Sequence, residues 1–88
     1  MTHEIMQKLK NAGFLLHPLL ENSNLFVQPT LSELIEACGE YFVSLTQYES
    51  GWFRAEGNYP LYDEGTNWSD AHSPEEAVAK LWLTLNKK

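Results

Sequence analysis

The stretch "YFVSLTQYESGWFRAE", residues 41–56, decides the fold that this sequence predicts. It holds two runs rich in β-branched and aromatic residues, a composition that favours β-strands. The tripeptide "ESG" separates the runs, and Gly51 is able to adopt the positive φ of a tight turn. We therefore predict a β-hairpin. In its first strand, alternation places Tyr41, Val43 and Leu45 on one face.

The second strand of the hairpin divides its side chains between two faces of the sheet. Phe53 and Ala55 lie on one face, and Trp52, Arg54 and Glu56 lie on the other. Because the first face is apolar, we expect it to be covered by helices. The other face would then expose aromatic side chains, which is typical of an oligomer interface or a partner site.

A helix precedes the hairpin, in "PTLSELIEACGE" at residues 29–40. Thr30 is the predicted N-cap, and Glu33 stands three residues later, as a capping box requires. Gly39 suits the left-handed position that follows many helices. The apolar residues recur at the spacing of one helix face, namely Leu31, Leu34, Ile35 and Cys38.

A second helix closes the chain, in "SPEEAVAKLWLTLNKK" at residues 73–88. Ser73 is its predicted N-cap, Pro74 occupies the first helical position, and Glu76 completes a second capping box. Its apolar stripe consists of Ala77, Val78, Leu81, Trp82 and Leu85.

A third strand is predicted within residues 66–71, ahead of the last helix. The preceding stretch "GNYPLYDEG", residues 57–65, is predicted to be a loop because glycines bracket it and Pro60 interrupts it. The order is then α-β-β-β-α. We predict an α+β fold in which two helices pack on one face of a three-stranded antiparallel sheet, forming a small domain at residues 29–88.

The N-terminal part of the chain, residues 1–28, is predicted to be an additional helix followed by an arm. "THEIMQKLKNAG" indicates a short helix with Ile5, Met6 and Leu9 turned inward. The apolar stretch that follows is broken by Pro18. We expect it to pack on the sheet or to reach a neighbouring subunit.

The composition indicates one small globular domain with an acidic surface. The chain has 88 residues and a formal net charge of −6, and residues 11–79 contain eleven acidic residues against Arg54 as their single basic one. Nucleic acids and anionic membranes are bound through Lys and Arg, so we expect neither as a direct partner. The lone Cys38, the absence of an apolar stretch of bilayer length and the lack of a signal-peptide pattern predict a cytoplasmic protein.

The sequence lacks the motifs of catalysis and of metal binding. Its histidines and Cys38 are scattered without ligand spacing, and Trp68 stands where a calcium loop requires glycine. Cys38 falls on the apolar stripe of its helix, which indicates a small buried residue rather than a nucleophile. No glycine-rich phosphate loop is present. We predict that the protein is not an enzyme and binds no metal or cofactor.

Aromatic and acidic residues concentrate in "NYPLYDEGTNWSD", residues 58–70, which contains no Lys, Arg or His. Together with the aromatics of the hairpin they form the candidate interaction residues, namely Tyr48, Trp52, Tyr59, Tyr62, Asp63, Glu64, Trp68 and Asp70. Two hypotheses stay open. The first is a protein-interaction module that binds a basic protein and acts as its inhibitor or decoy. The second is a structural homo-oligomer, such as a homodimer, without a separate ligand.

Two stretches, "PTLSELIEACGEYFVSL" at 29–45 and "SPEEAVAKLWLTLN" at 73–86, with a "GWFRAEG" hairpin between them, resemble a group of small uncharacterised proteins of tailed phages and prophages. The chain is also loosely similar to the phage alpha-beta-alpha sandwich domain. The resemblance covers residues 29–86 and implies a fold, a phage or prophage origin and a bacterial host cytoplasm. It carries no catalytic or binding residue over to this chain, and residues 1–28 depart from it.

Overall fold

The computed structural model describes residues 2–14, 16–18, 26–58 and 66–86. The helices are α1 (His3–Asn11), α2 (Leu31–Cys38) and α3 (Pro74–Leu85), and a short 3-10 turn, Gly39–Tyr41, follows α2. The strands are β1 (His17–Pro18), β2 (Phe26–Val27), β3 (Phe42–Glu49), β4 (Trp52–Asn58) and β5 (Thr66–Ala71). This order confirms the predicted α+β fold, including the third strand at residues 66–71.

Strands β3, β4 and β5 form an antiparallel sheet with β4 in the centre. Helix α3 packs on β4 and β5, while α2 and α1 pack against α3. The helices bury the side of the sheet that carries Ala55 and Ala71. Among the described residues, the core consists of Ile5, Leu9, Leu34, Cys38, Ala55, Ala71, Ala77, Val78, Ala79, Leu81, Trp82 and Leu85.

Both predicted N-caps are present. The hydroxyl of Thr30 accepts a hydrogen bond from the Glu33 N–H, and the Glu33 carboxylate accepts one from the Thr30 N–H, so this capping box is complete. The hydroxyl of Ser73 accepts from the Glu76 N–H. The Glu76 carboxylate, however, accepts from the backbone N–H of Thr2 at 3.2 Å. The second capping box is therefore only half formed, because the start of α1 lies beside the start of α3.

Helix α1 belongs to the same core as the C-terminal helix. Ile5 and Leu9 are buried and Met6 is half-buried, as the sequence predicts. The ring of Phe14 meets the ring of Trp82 edge-on, with 5.0 Å between the ring centroids. The predicted arm includes a short antiparallel pairing of β1 with β2. The division at residue 28 stays a prediction.

Strand β3 begins with a bulge at Val43, where the pairing with β4 shifts by one residue. An extra residue breaks the alternation of the strand. As a result, Phe42 and Leu45 pack against the core, whereas Val43 is exposed. Tyr41 is exposed as well, and it lies in the 3-10 turn before β3. The prediction that Tyr41, Val43 and Leu45 share one face is therefore wrong for the first two.

Candidate functional site

The side of the sheet turned away from α3 carries the candidate residues, and we call it the outer face. On it, Arg54 lies opposite Asp70 and Glu56 lies opposite Trp68, while Ala55 between them faces the core. Directly opposite residues share a face of the sheet. The outer face is defined by Thr46, Tyr48, Glu49, Trp52, Arg54, Glu56, Trp68 and Asp70.

An ion pair between neighbouring strands lies at the centre of the outer face. The Nε of Arg54 donates to Oδ1 of Asp70 at 2.8 Å, and its Nη2 donates to Oδ2 at 3.1 Å. Both side chains are half-buried. A two-point contact between guanidinium and carboxylate fixes orientation as well as distance. Arg54 is thus held in one position, unlike the arginine of most exposed ion pairs.

Two aromatic rings contact the same guanidinium. Its central carbon lies 4.7 Å from the ring centroid of Tyr48 and 5.5 Å from that of Trp68. These distances are within the range of cation–π attraction. A second register shift in β3, between Gln47 and Glu49, accompanies the placement of Tyr48 beside Arg54. The rings are nevertheless open to solvent, since Tyr48 is 47% exposed and Trp68 is 59% exposed.

The electrostatics of the cluster support this arrangement. The hydrogen bond from Arg54 holds the pKa of Asp70 below its ordinary value of 3.8, so Asp70 is ionised at neutral pH. The pKa of Tyr48 is raised above its ordinary 10.0, first by desolvation and then by the charge of Asp70. Arg54 joins Asp70 and Tyr48 in one network, through an ion pair with the first and a cation–π contact with the second.

Trp52 lies at the hairpin end of the outer face and has a different partner. Its ring stacks on the ring of His72, with centroids 3.8 Å apart and the planes inclined by 40°. The Nδ1 of His72 lies 3.0 Å from the carbonyl oxygen of Gly51. Because a carbonyl oxygen only accepts, Nδ1 is the donor. This contact ties the end of β5 to the hairpin turn.

The structure brings together only part of the candidate set. Tyr48, Trp68 and Asp70 meet around Arg54, and Trp52 lies on the same face beside His72. The remaining candidates lie outside the described residues, namely Tyr59, Tyr62, Asp63 and Glu64. The organising role of Arg54 was missed, although the alternation of β4 already placed it on the exposed face.

The hollow between the ends of α2 and α3 offers no activated nucleophile. It has a volume of about 330 Å³, and Cys38 is among its lining residues. Burial raises the pKa of the Cys38 thiol to about 11, so the thiol is protonated at neutral pH and a poor nucleophile. None of the residues that the structure describes around this hollow is a histidine. Cys38 is 3% exposed, and it is a buried core residue, as the helix stripe predicts.

Within residues 2–14, 16–18, 26–58 and 66–86, no three His, Cys, Asp or Glu side chains are grouped as metal ligands would be. None of the helices in that part of the chain has the length and hydrophobicity needed to cross a bilayer.

Comparison with known proteins gives no match: no family model, no curated protein and no solved structure is similar to this chain.

Proposed function

We propose that this chain is a non-enzymatic protein-interaction module that binds its partner through the outer face. The observation that supports this proposal most strongly is the cluster of Tyr48 and Trp68 around the Arg54–Asp70 pair. No described element covers these two rings, and both are about half exposed or more. Exposed tyrosine and tryptophan are the side chains most enriched at the energetic centres of protein interfaces.

The fixed position of the rings favours binding. Each freely rotating side chain that becomes ordered on binding makes the binding free energy less favourable by about 0.5–1.5 kcal/mol. Contact with the Arg54 guanidinium, itself held by Asp70, restricts Tyr48 and Trp68 before a partner arrives. Less of the binding free energy is then lost on ordering these two rings.

The charge of the chain favours a basic partner. Residues 11–79 carry eleven acidic residues and only Arg54 as a basic one, and a negative protein attracts positively charged partners over long distances. The resemblance to phage and prophage proteins makes a bacterial host protein the first class of partner to test. Such a module would act as an inhibitor or decoy by covering a basic surface of that protein.

The alternative is a structural homo-oligomer that buries the outer face against a second copy. It is supported by the small size of the chain, since a domain of 88 residues gains stability by burying more surface. Light scattering distinguishes the two. A mass of 10.1 kDa indicates a monomer with a free outer face, whereas twice that mass, reduced by substitutions at Tyr48 and Trp68, would favour the oligomer.

The test of the proposal is a comparison of two double variants as baits in a bacterial lysate. One carries Tyr48→Ala and Trp68→Ala on the outer face. The control carries Tyr41→Ala and Val27→Ala, which remove two exposed apolar side chains elsewhere. We expect the wild type and the control to retain the same protein and the outer-face variant to lose it. Equal capture by all three baits, or no capture by the wild type, would contradict the proposal.

A further inference from the structure

Two of the acidic residues on the outer face lie next to exposed aromatic rings. Glu56 is the direct cross-strand neighbour of Trp68, and such neighbours have Cβ atoms about 5 Å apart. Glu49 adjoins Tyr48 in the bulged end of β3, and its charge contributes to the raised pKa of Tyr48. The outer face therefore contains two pairs, each made of one carboxylate and one aromatic ring.

The negative charge of these pairs is only partly balanced on the sheet, because Arg54 interacts with Glu56 at a distance but forms its ion pair with Asp70. Arg54 is the only Lys or Arg in strands β3, β4 and β5, and its two-point contact is with Asp70. Neither Glu49 nor Glu56 forms an ion pair within the part of the chain that the structure describes. A carboxylate beside an aromatic face attracts a cation twice, through its own charge and through the ring.

We propose that the outer face binds a short extended peptide segment that carries lysine or arginine side chains. One basic side chain lies against Glu56 and the solvent-exposed part of Trp68, and a second lies against Glu49 and the solvent-exposed part of Tyr48. The Arg54 guanidinium contacts both rings between these two positions. This inference rests on the proposed function and specifies its partner.

The size of the outer face favours a peptide segment over a second copy of the chain. Three strands spaced about 4.8 Å apart, with about 20 Å of length each, give the described part of this face a projected area of roughly 300 Å², and the relief of the side chains adds to the surface it offers. A stable interface between globular proteins buries about 800 Å² on each partner. A second copy stacked on this face would also bring Glu49 and Glu56 toward like charges, which is destabilising.

The spacing of the two pairs sets the spacing of the basic side chains. Glu49 lies opposite Trp52, which is four residues from Glu56 along β4. Four residues of extended chain span about 13 Å. In an extended peptide, residues i and i+4 project to the same side. Two basic residues in these positions match the spacing of the two carboxylates, and their flexible side chains also reach the two rings, which lie closer together because both contact Arg54.

The test is a fluorescence-anisotropy titration with a labelled, capped peptide of serine and alanine that contains two lysines at i and i+4. A second peptide replaces both lysines with norleucine, which keeps the length of the side chain and removes its charge. We expect the lysine peptide to bind roughly tenfold more tightly than the norleucine peptide, given the combined contribution of ring and carboxylate.

Two protein variants with the same net charge localise the binding. Glu56→Gln removes a carboxylate of the outer face, and Glu36→Gln removes an exposed one on α2. We expect Glu56→Gln to weaken binding of the lysine peptide roughly three- to tenfold. Glu36→Gln should change it less than about twofold, because a distant exposed charge is screened by salt. Urea denaturation of both variants checks that each is folded.

Each contrary result overturns the inference. Equal losses in the two variants would show attraction by net charge without a site. Equal binding of the lysine and norleucine peptides would show an apolar site. Absence of binding to the lysine peptide would exclude this class of partner. In the last two cases the proposed function still stands if the Tyr48→Ala and Trp68→Ala bait loses a protein that the control bait retains.

Discussion

Gly57 of β4 lies directly beneath Leu81 of α3, with no room for a side chain between them. A Cβ atom at Gly57 would lie 3.2 Å from Cδ2 of Leu81 and 2.8 Å from the carbonyl oxygen of Tyr41. Real Cβ atoms do not approach a backbone oxygen that closely. Glycine at this position is therefore what lets the backbone of Tyr41 and the Leu81 side chain of α3 both lie this close to β4.

Gly57→Ala is expected to destabilise the fold by about 1–3 kcal/mol, the usual cost of inserting a methyl group into a packed core. The free energy of unfolding from urea denaturation measures the effect. Asn58→Ala, at the exposed next position, is the control and should change it by less than about 0.5 kcal/mol. Equal stability of Gly57→Ala and the wild type would show that Tyr41 and Leu81 do not lie this close to β4.

Leu9→Ala tests whether the N-terminal helix is part of the core. Leu9 is fully buried, so its truncation should lower the free energy of unfolding by about 2–5 kcal/mol. The exposed Gln7 on the same helix provides a control, since Gln7→Ala should cost less than about 0.5 kcal/mol. If Leu9→Ala were as stable as Gln7→Ala, α1 would be an independent arm. The same packing implies that deleting residues 1–28 would damage the fold.

Asp70→Asn tests the network on the outer face through the pH dependence of the protein's stability. The pKa of Asp70 is lower in the folded protein than its ordinary 3.8, so its ionised form stabilises the fold at neutral pH. That contribution is lost as the pH falls below 3.8 and through the folded pKa. The urea midpoint of the variant should lie below that of the wild type at neutral pH. The difference between the two midpoints should become smaller in acid. A difference that is constant with pH would contradict the ion pair.

Cys38 is expected to resist thiol reagents in the native protein. It is 3% exposed, and burial raises its pKa to about 11, so little thiolate is present at neutral pH. Labelling with a chromogenic disulfide should be slow in buffer and rapid in concentrated urea. Complete labelling of the native protein at the rate of a free thiol would show that the packing of α2 does not bury Cys38.

The predictable parts of this fold are those that local chemistry determines. Thr30 caps its own helix within four residues, and the alternation along β4 places Arg54 and Glu56 opposite to Ala55. These relationships depend only on neighbouring positions. The approximate bounds of α2 and α3 and the position of the third strand could be predicted from such local relationships.

The parts that escaped prediction depend on residues distant in sequence. The bulge at Val43 arises from the register of β3 against β4, which alternation alone does not reveal. The Glu76 carboxylate accepts a hydrogen bond from the backbone N–H of Thr2, seventy-four positions away in the sequence. The pairing of Arg54 with Asp70 requires the register across the connection between β4 and β5. Without knowledge of that register, the candidate residues could be assigned to one face of the sheet, but their contacts with one another could not be predicted.

The most direct test of binding through the outer face is an NMR titration that follows the three tryptophan indole N–H signals. Trp68 is exposed on the outer face, whereas Trp82 is buried in the core against Phe14 and serves as an internal control. The signal missing from the spectrum of Trp68→Phe identifies Trp68. Addition of the peptide with two lysines should shift the Trp68 signal progressively to saturation and leave the Trp82 signal in place. An unchanged Trp68 signal at saturating peptide would contradict binding at the outer face.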